Sequence, residues 1–222
     1  MVRPDELRAG HQSYVMQIPT RRSRDGEGGG WDNDLARRLR LGAERRPGRG
    51  LGDGGERLHY WVLGGPWSYD EGPTGDATGA DKEFLDEGMA RGGAIVGGRN
   101  TYEAADAWGG SNPFGMPFFI VSHHPEDAPA DAGFTFVTGL DEAIARAREA
   151  AGDKDVLVMG GADIIRQALR AGHVDELSIS IAPVVLGGGK RLFEGIDDTV
   201  VLEHMSLRQS PFTTHITYRV VR

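Results

Sequence analysis

At 222 residues, with 39% hydrophobic and 26% charged residues, the chain has the composition of one folded domain with room for an appendage. It contains no cysteine, which excludes disulfides, thiolate catalysis and Cys-ligated zinc or iron–sulfur centres, and which suits a reducing compartment. A net charge of −8 argues against nucleic acid as a partner. No run approaches the roughly 20 apolar residues of a membrane span, and MVRPDELRAGHQ lacks the apolar core of a signal peptide. These features set the expectation of a cytoplasmic protein with neither membrane nor nucleic acid as partner.

The charge is unevenly spread. Residues 1–50 carry 11 arginines against 7 acidic residues, a net of +4, whereas the remainder carries a net of −12. Arg and Gly crowd together in Arg21-Arg22-Ser23-Arg24-Asp25-Gly26 and in Arg45-Arg46-Pro47-Gly48-Arg49-Gly50. One strand-like run, Ser13–Ile18, stops at Pro19, and Asp34–Leu39 has the form of a short helix start. Residues 1–50 are therefore read as an atypical, partly loop-like segment, and residues 51–222 as the folded domain. An RNA-contacting arm is the alternative reading of the basic segment. With few aromatics and no repeated motif, a solvated arm is the better one.

From Gly52 onward strands and helices alternate. Gly93-Ala94-Ile95-Val96 is a short apolar strand ending in Gly97-Gly98, and Arg99–Glu103 has helical character. Pro117–Ser122 and Phe134–Val137 read as further buried strands. Leu140, Ile144 and Ala147 recur at helical spacing and predict a helix over 140–151, with Asp141 at its start. Asp155–Met159 is another buried strand, followed by Gly160-Gly161 and a helix over 162–171. Glu176–Ile181 alternates like a half-exposed strand, and 202–207 with 213–221 predict an antiparallel pair turning near Ser210-Pro211. This order implies a mostly parallel sheet with an antiparallel edge.

Two strand exits carry chemistry. A strand that ends in Gly-Gly and feeds a helix leaves unpaired N–H groups at the helix start. With the positive end of the helix dipole they form an anion site that a phosphate can approach closely. Val158-Met159-Gly160-Gly161-Ala162-Asp163 has this form, and so does Ile95-Val96-Gly97-Gly98-Arg99-Asn100-Thr101, which adds a guanidinium and a hydroxyl. Neither matches the G-x-G-x-x-G or P-loop patterns. Two such exits in one sheet suit a ligand with several phosphates.

The order strand-Gly-Arg-x-Thr, strand with a polar exit, strand-Gly-Gly-helix resembles the cofactor contacts of the dihydrofolate reductase superfamily. Val96–Thr101, Ile120-Val121-Ser122-His123-His124 and Met159–Ala162 carry that resemblance. Asp175–Phe193, with Pro183-Val184-Val185-Leu186-Gly187-Gly188-Gly189, is similar to the reductase domain of bacterial riboflavin-biosynthesis enzymes (the RibD C-terminal type). The likeness covers about three-quarters of the chain. It implies a dihydrofolate reductase-like three-layer αβα fold of the α/β class, with a mostly parallel central sheet and antiparallel C-terminal strands. It also implies NADPH as cofactor, held by Gly97, Gly98, Arg99, Thr101, Ser122, His123, His124, Gly160, Gly161, Ala162 and Asp163, with the histidine pair facing the 2′-phosphate.

The same resemblance implies reduction of a small heterocycle, such as the aminopyrimidine ribosyl phosphate 5-amino-6-(5-phosphoribosylamino)uracil. Trp67, Leu186, Gly187, Lys190 and Phe193 would border the substrate. Trp67 and Trp108 read first as packing residues, with the pocket wall as the second reading, and Lys190 with Arg191 either meets the substrate phosphate or lies in a solvated loop. Asp25, Asp53 and Glu56 are the acids near the expected substrate side and stand as candidate proton donors. The family opens with a strand running into a Ser-Leu-Asp-Gly-like segment. Here Tyr14–Ile18 leads into Pro19-Thr20-Arg21-Arg22 before Ser23-Arg24-Asp25-Gly26, so catalysis is the part of the likeness that this departure touches. His59, His173, His204 and His215 show no metal-ligand spacing, and no metal is expected. A homodimer through the C-terminal strands is implied. The competing readings are a reductase of the same fold acting on a pterin or another small molecule, and a nucleotide-binding protein without turnover.

Overall fold

The computed structural model describes residues 55–65, 75–129, 133–185, 191–196 and 199–222. The strand Ser13–Ile18, the helix start at 34–39 and the N-terminal segment as a whole lie outside these. Four parallel strands form one sheet: β1 (Gly92–Gly98), β2 (Phe118–Val121), β3 (Phe134–Val137) and β4 (Asp155–Met159), in the order β3-β2-β1-β4. Three antiparallel strands, β5 (Glu176–Ile181), β6 (Val201–Gln209) and β7 (Thr214–Val221), form a second sheet in the order β5-β7-β6. The helices are α1 (Tyr60–Leu63), α2 (Gly79–Arg91), α3 (Arg99–Ala104), α4 (Leu140–Ala151) and α5 (Ala162–Arg170). Among the described residues the antiparallel strands pair only with each other, so they make a sheet of their own rather than an edge of the parallel one.

The parallel strands are buried on both faces, as their continuous apolar runs require. Their alternating side chains sort into two chemically different cores. Ala94, Val96, Phe119, Val137, Val156 and Val158 face one side and meet Leu140, Ala143, Ile144 and Ala147 of α4 and Ile164, Ile165 and Ala168 of α5. Ile95, Phe118, Ile120, Phe134, Phe136, Leu157 and Met159 face the other side and meet Trp61 of α1, Phe84 of α2 and Trp108. The result is a three-layer αβα arrangement.

The two sheets are tied by polar links that the hydrophobic pattern does not reveal. Arg91, at the end of α2, donates to Asp155 on β4 at 2.8 Å and to Glu176 on β5 at 3.0 Å. Asp81, in the first turn of α2, accepts from His215 Nε2 on β7 at 2.7 Å, and Ser180 Oγ on β5 lies 2.9 Å from Nδ1 of the same ring. His215 and Asp81 are both buried, with the imidazole stacked on Phe84 at 4.1 Å and edge-on to Trp61 at 5.0 Å. Burial lowers the His215 pKa, the hydrogen bond to Asp81 opposes that, and Arg208 adds to it. His59 is buried as well. Desolvation depresses it to about 4 against a hydrogen bond from Nδ1 to the Gly55 carbonyl.

Two glycines allow close packing at the end of β1, one against β2 and one against α5. A Cβ on Gly97 would meet Phe118 Cε2 at 2.9 Å, so the absent side chain makes room for that ring. A Cβ on Gly98 would meet Ile164 Cγ1 at 2.7 Å, where α5 packs against the end of β1. Gly98→Ala is therefore expected to overpack this contact and destabilise the fold by about 1–3 kcal/mol, read as a lower midpoint in urea unfolding. Acid should act through the histidines. The unfolded chain takes up a proton near pH 6.5, which folded His59 refuses down to about 4. Stability from this group is thus complete above about pH 6.5 and falls as the pH drops toward 4, by up to about 1.4 kcal/mol per pH unit. His215 contributes in the same direction. Unfolding free energies measured at pH 7 and pH 5 should differ accordingly, and His59→Gln should flatten the difference.

Candidate functional site

Chain direction places one edge of the parallel sheet in an unusual position. β1 hands the chain to α3, which packs with the aromatic face through Tyr102, whereas β3 and β4 hand it to α4 and α5 on the aliphatic face. β1 and β4 are neighbours, so the direction of the connections reverses between them. In an open parallel sheet this is where a crevice forms beyond the strand ends. A cavity of about 390 Å³ lies there, within the range of small-molecule sites.

The cavity is built from four strand exits. From β1 come Gly98, Arg99, Asn100 and Thr101, and from β2 come Ser122, His123 and His124. From β3 come Thr138, Gly139 and Leu140, and from β4 come Gly160, Gly161, Ala162 and Asp163, with Arg166 beyond. Gly98 N–H donates to the Gly160 carbonyl at 3.1 Å and locks two of these exits together. The Gly160–Gly161 peptide is cis. Gly161 caps α5 with φ −67°, and a Cβ there would sit 3.5 Å from Thr101 Oγ1, so the backbone lies open to the cavity. The first N–H groups of α4 and α5 have no partner within their helices and give the site a positive, donor-rich floor.

Ten of the eleven residues expected to hold a cofactor line this one cavity. Gly97 does not: it lies within β1, where its missing side chain serves the packing of Phe118 and the approach of the Met159 carbonyl. Ser122 is buried and accepts from the His124 N–H at 3.0 Å, which bends the chain out of β2. His123 is exposed, and His124 Nδ1 lies 3.2 Å from Glu126 Oε1.

The expected substrate side is less fully described. Asp25, Asp53, Trp67, Leu186, Gly187 and Lys190 lie outside the described residues, as does the side chain of Glu56, whose backbone is in the 3-10 turn Gly55–His59. Phe193 packs against the aliphatic core and does not line the cavity. Trp108 is also a packing residue rather than a wall, buried among Tyr102, Phe114, Phe118 and Phe134. The Arg191 carbonyl accepts from Arg166 at 3.0 Å.

The exit Val137-Thr138-Gly139-Leu140 repeats the strand–glycine–helix form of the other two, and that signal was available in the sequence. Glu103, four residues after Arg99 on α3, was legible as an ion pair. Asp127, which reaches Arg99 from the segment after β2, was not. Among the described residues no cluster of His, Asp and Glu is arranged to hold a metal, and no helix is long and apolar enough to cross a membrane.

The donor set fits a phosphorylated dinucleotide. The Gly160–Gly161 exit of β4 and the starts of α4 and α5 present main-chain N–H groups to the cavity, and the Gly98 N–H, spent on the Gly160 carbonyl, holds that exit beside β1. Comparisons with known proteins agree on the architecture. The chain is 42% identical over 55 residues to the uncharacterized protein YyaP and 27% identical over 116 residues to the uncharacterized protein YwjB, both of Bacillus subtilis (strain 168). These matches cover 25% and 52% of this chain, and 29% and 66% of the length of those proteins.

Among solved structures, a putative riboflavin biosynthesis protein from Shewanella sp. PV-4 superposes with a TM-score of 0.56 at 23% identity, over 73% of this chain and 87% of that one. RibD of Acinetobacter baumannii gives 0.50 at 18% identity, over 65% of this chain and 51% of that one. The riboflavin biosynthesis reductase Rib7 of Saccharomyces cerevisiae gives 0.50 at 16% identity, over 63% and 80%. The family model of the RibD C-terminal domain matches residues 63–216, and the chain belongs to that family.

Proposed function

We propose that the protein is an oxidoreductase that binds a reduced nicotinamide dinucleotide, NADPH, along the carboxyl edge of its parallel sheet and reduces a small heterocyclic substrate. The observation that carries this reading is the convergence of three strand–glycine–helix exits on one cavity at the reversal point between β1 and β4. The family membership, and the structural likeness to a putative riboflavin biosynthesis protein and to a riboflavin biosynthesis reductase, support a reductase. The bound dinucleotide would supply hydride, and the protein's share is to bind, orient and exclude water.

In this reading Gly160, Gly161 and Ala162 hold the pyrophosphate through their amides and the start of α5. Gly98 lets the dinucleotide lie close across β1. Thr101 and Arg99 flank it, and Ser122, His123 and His124 shape the far end. The substrate is proposed to be an aminopyrimidine ribosyl phosphate or a related pterin-like heterocycle. A nucleotide-binding protein without turnover is the other reading, favoured by the polar departure at Ser23–Gly26.

Calorimetric titration with NADPH should show saturable binding, and loss of reduced-nicotinamide absorbance on adding aminopyrimidine or pterin substrates should mark turnover. Binding without oxidation of NADPH by either substrate class would favour the non-catalytic reading. Gly161→Val puts two methyl groups into the cavity beside Thr101 at a backbone angle that a side chain tolerates. It should weaken NADPH binding by about tenfold or more, equivalent to about 1.4 kcal/mol, with little change in thermal stability.

We also propose a homodimer through the antiparallel sheet. Among the described residues β6 is an edge strand with no partner on its outer side, and it exposes the apolar side chains of Val201, Met205 and Leu207. Light scattering should give twice the monomer mass for the wild type, and Leu207→Glu should shift it toward monomer.

A further inference from the structure

Both arginines that line the cavity are already engaged by carboxylates. Arg166 reaches Asp163 at 3.4 Å and the Arg191 carbonyl at 3.0 Å. Arg99 is gripped more tightly. Its Nε donates to Glu103 Oε1 at 2.8 Å, and its Nη1 donates to Asp127 Oδ2 at 2.8 Å. The same Nη1 lies 3.4 Å from the His124 carbonyl and 3.5 Å from Ser122 Oγ. Hydrogen bonds to Glu103 and then to Asp127 push the guanidinium pKa further above its ordinary value.

The two carboxylates are not equivalent. Glu103 sits one turn along the same helix, where such a pair is a local feature. Asp127 comes from the turn Pro125–Asp127 beyond β2 and reaches Arg99 from outside the residues that line the cavity. Its side chain is 50% exposed and that of Arg99 33%, so the bond is accessible to competition from a dissolved anion.

Position decides which anion. The Gly98 N–H is taken up by the Gly160 carbonyl, so the glycine amides at the anion position are those at the end of β4 and the start of α5, whereas Arg99 Nη1 points to the exit of β2. β4 and β2 are separated by β1, so two inter-strand spacings, about 10 Å, divide the two anion positions. The adjacent phosphates of one pyrophosphate do not reach that far. A ligand that engages both must carry a separate phosphate group.

We propose that Asp127 is an internal placeholder for that separate phosphate, and that by occupying Arg99 it sets how strongly the site prefers a dinucleotide with an additional phosphomonoester over one without. The proposal rests on the nicotinamide reading above. In the free protein Asp127 keeps the guanidinium fork oriented. On binding, a phosphate oxygen takes its place on Nη1, and the displaced carboxylate, with Glu126 beside it, stays near enough to repel the phosphate. The preference for the phosphorylated cofactor is therefore held below what Arg99 alone would give.

The test is calorimetry with NADPH and NADH on the wild type, Asp127→Asn, Arg99→Gln and the double variant, with circular dichroism melting to show that each is folded. An exposed ion pair is worth up to about 1 kcal/mol, so Asp127→Asn should tighten NADPH by about fivefold and leave NADH nearly unchanged. Arg99→Gln should weaken NADPH selectively, and Asp127→Asn should add nothing in that background. The proposal is overturned if Asp127→Asn leaves the NADPH-to-NADH ratio where it was, if both dinucleotides tighten equally, or if its effect persists undiminished without Arg99. Failure of the wild type to bind either dinucleotide would overturn the nicotinamide reading itself, and this inference with it.

Discussion

The contact on which the site depends is the hydrogen bond from the Gly98 amide to the Gly160 carbonyl. It joins the ends of two adjacent parallel strands at the point where one chain leaves toward the aromatic layer and the other toward the aliphatic layer. Any side chain at Gly98 would collide with Ile164, so the proximity of the strands, the seating of α5 and the bareness of the cavity floor are one constraint. Bulk at this junction would alter both packing and access. Gly97, one residue earlier in β1, serves packing against Phe118 instead.

Around that junction the protein balances its charges locally. The cavity brings together Arg99, Arg166, Glu103 and Asp163, with the two histidines at one end. On the proposed reading, an anion there would be met chiefly by main-chain amides and helix starts, since the arginines are already paired. The proposed site is compatible with the acidic character of the chain as a whole, because a net charge of −8 does not exclude a phosphate when the donors are backbone groups fixed in place.

The antiparallel sheet is coupled to the rest by polar links, one buried and one partly exposed. Asp81, His215 and Ser180 form a chain from α2 across β7 to β5, and Arg91 bridges β4 to β5. A buried carboxylate and imidazole are costly to separate, because each leaves the other unsatisfied in a dry environment. They fix the orientation of the C-terminal strands against α2 more specifically than apolar packing alone would. The small apolar stripe of α2 explains the need. Phe84 is its one large buried apolar side chain, with Asp81 and Gly88 buried beside it.

Local pattern in the chain already determined the parallel strands, α4, α5 and the glycine-rich exits, because continuous apolar runs and helical spacing are set by neighbours in sequence. It missed α2, whose buried face includes an aspartate, and it read a third strand–glycine–helix exit at Thr138–Leu140 as a plain helix start. It assigned Phe193 to a pocket and left Trp108 between packing and a pocket wall, since an aromatic residue has the same local signature whether it packs or lines a wall. What only the tertiary structure decided was which groups meet: Arg99 with Asp127, 28 residues apart, and His215 with Asp81, 134 residues apart. Strand order and the reversal between β1 and β4 create those meetings, and periodicity along a chain carries no information about which strand lies beside which.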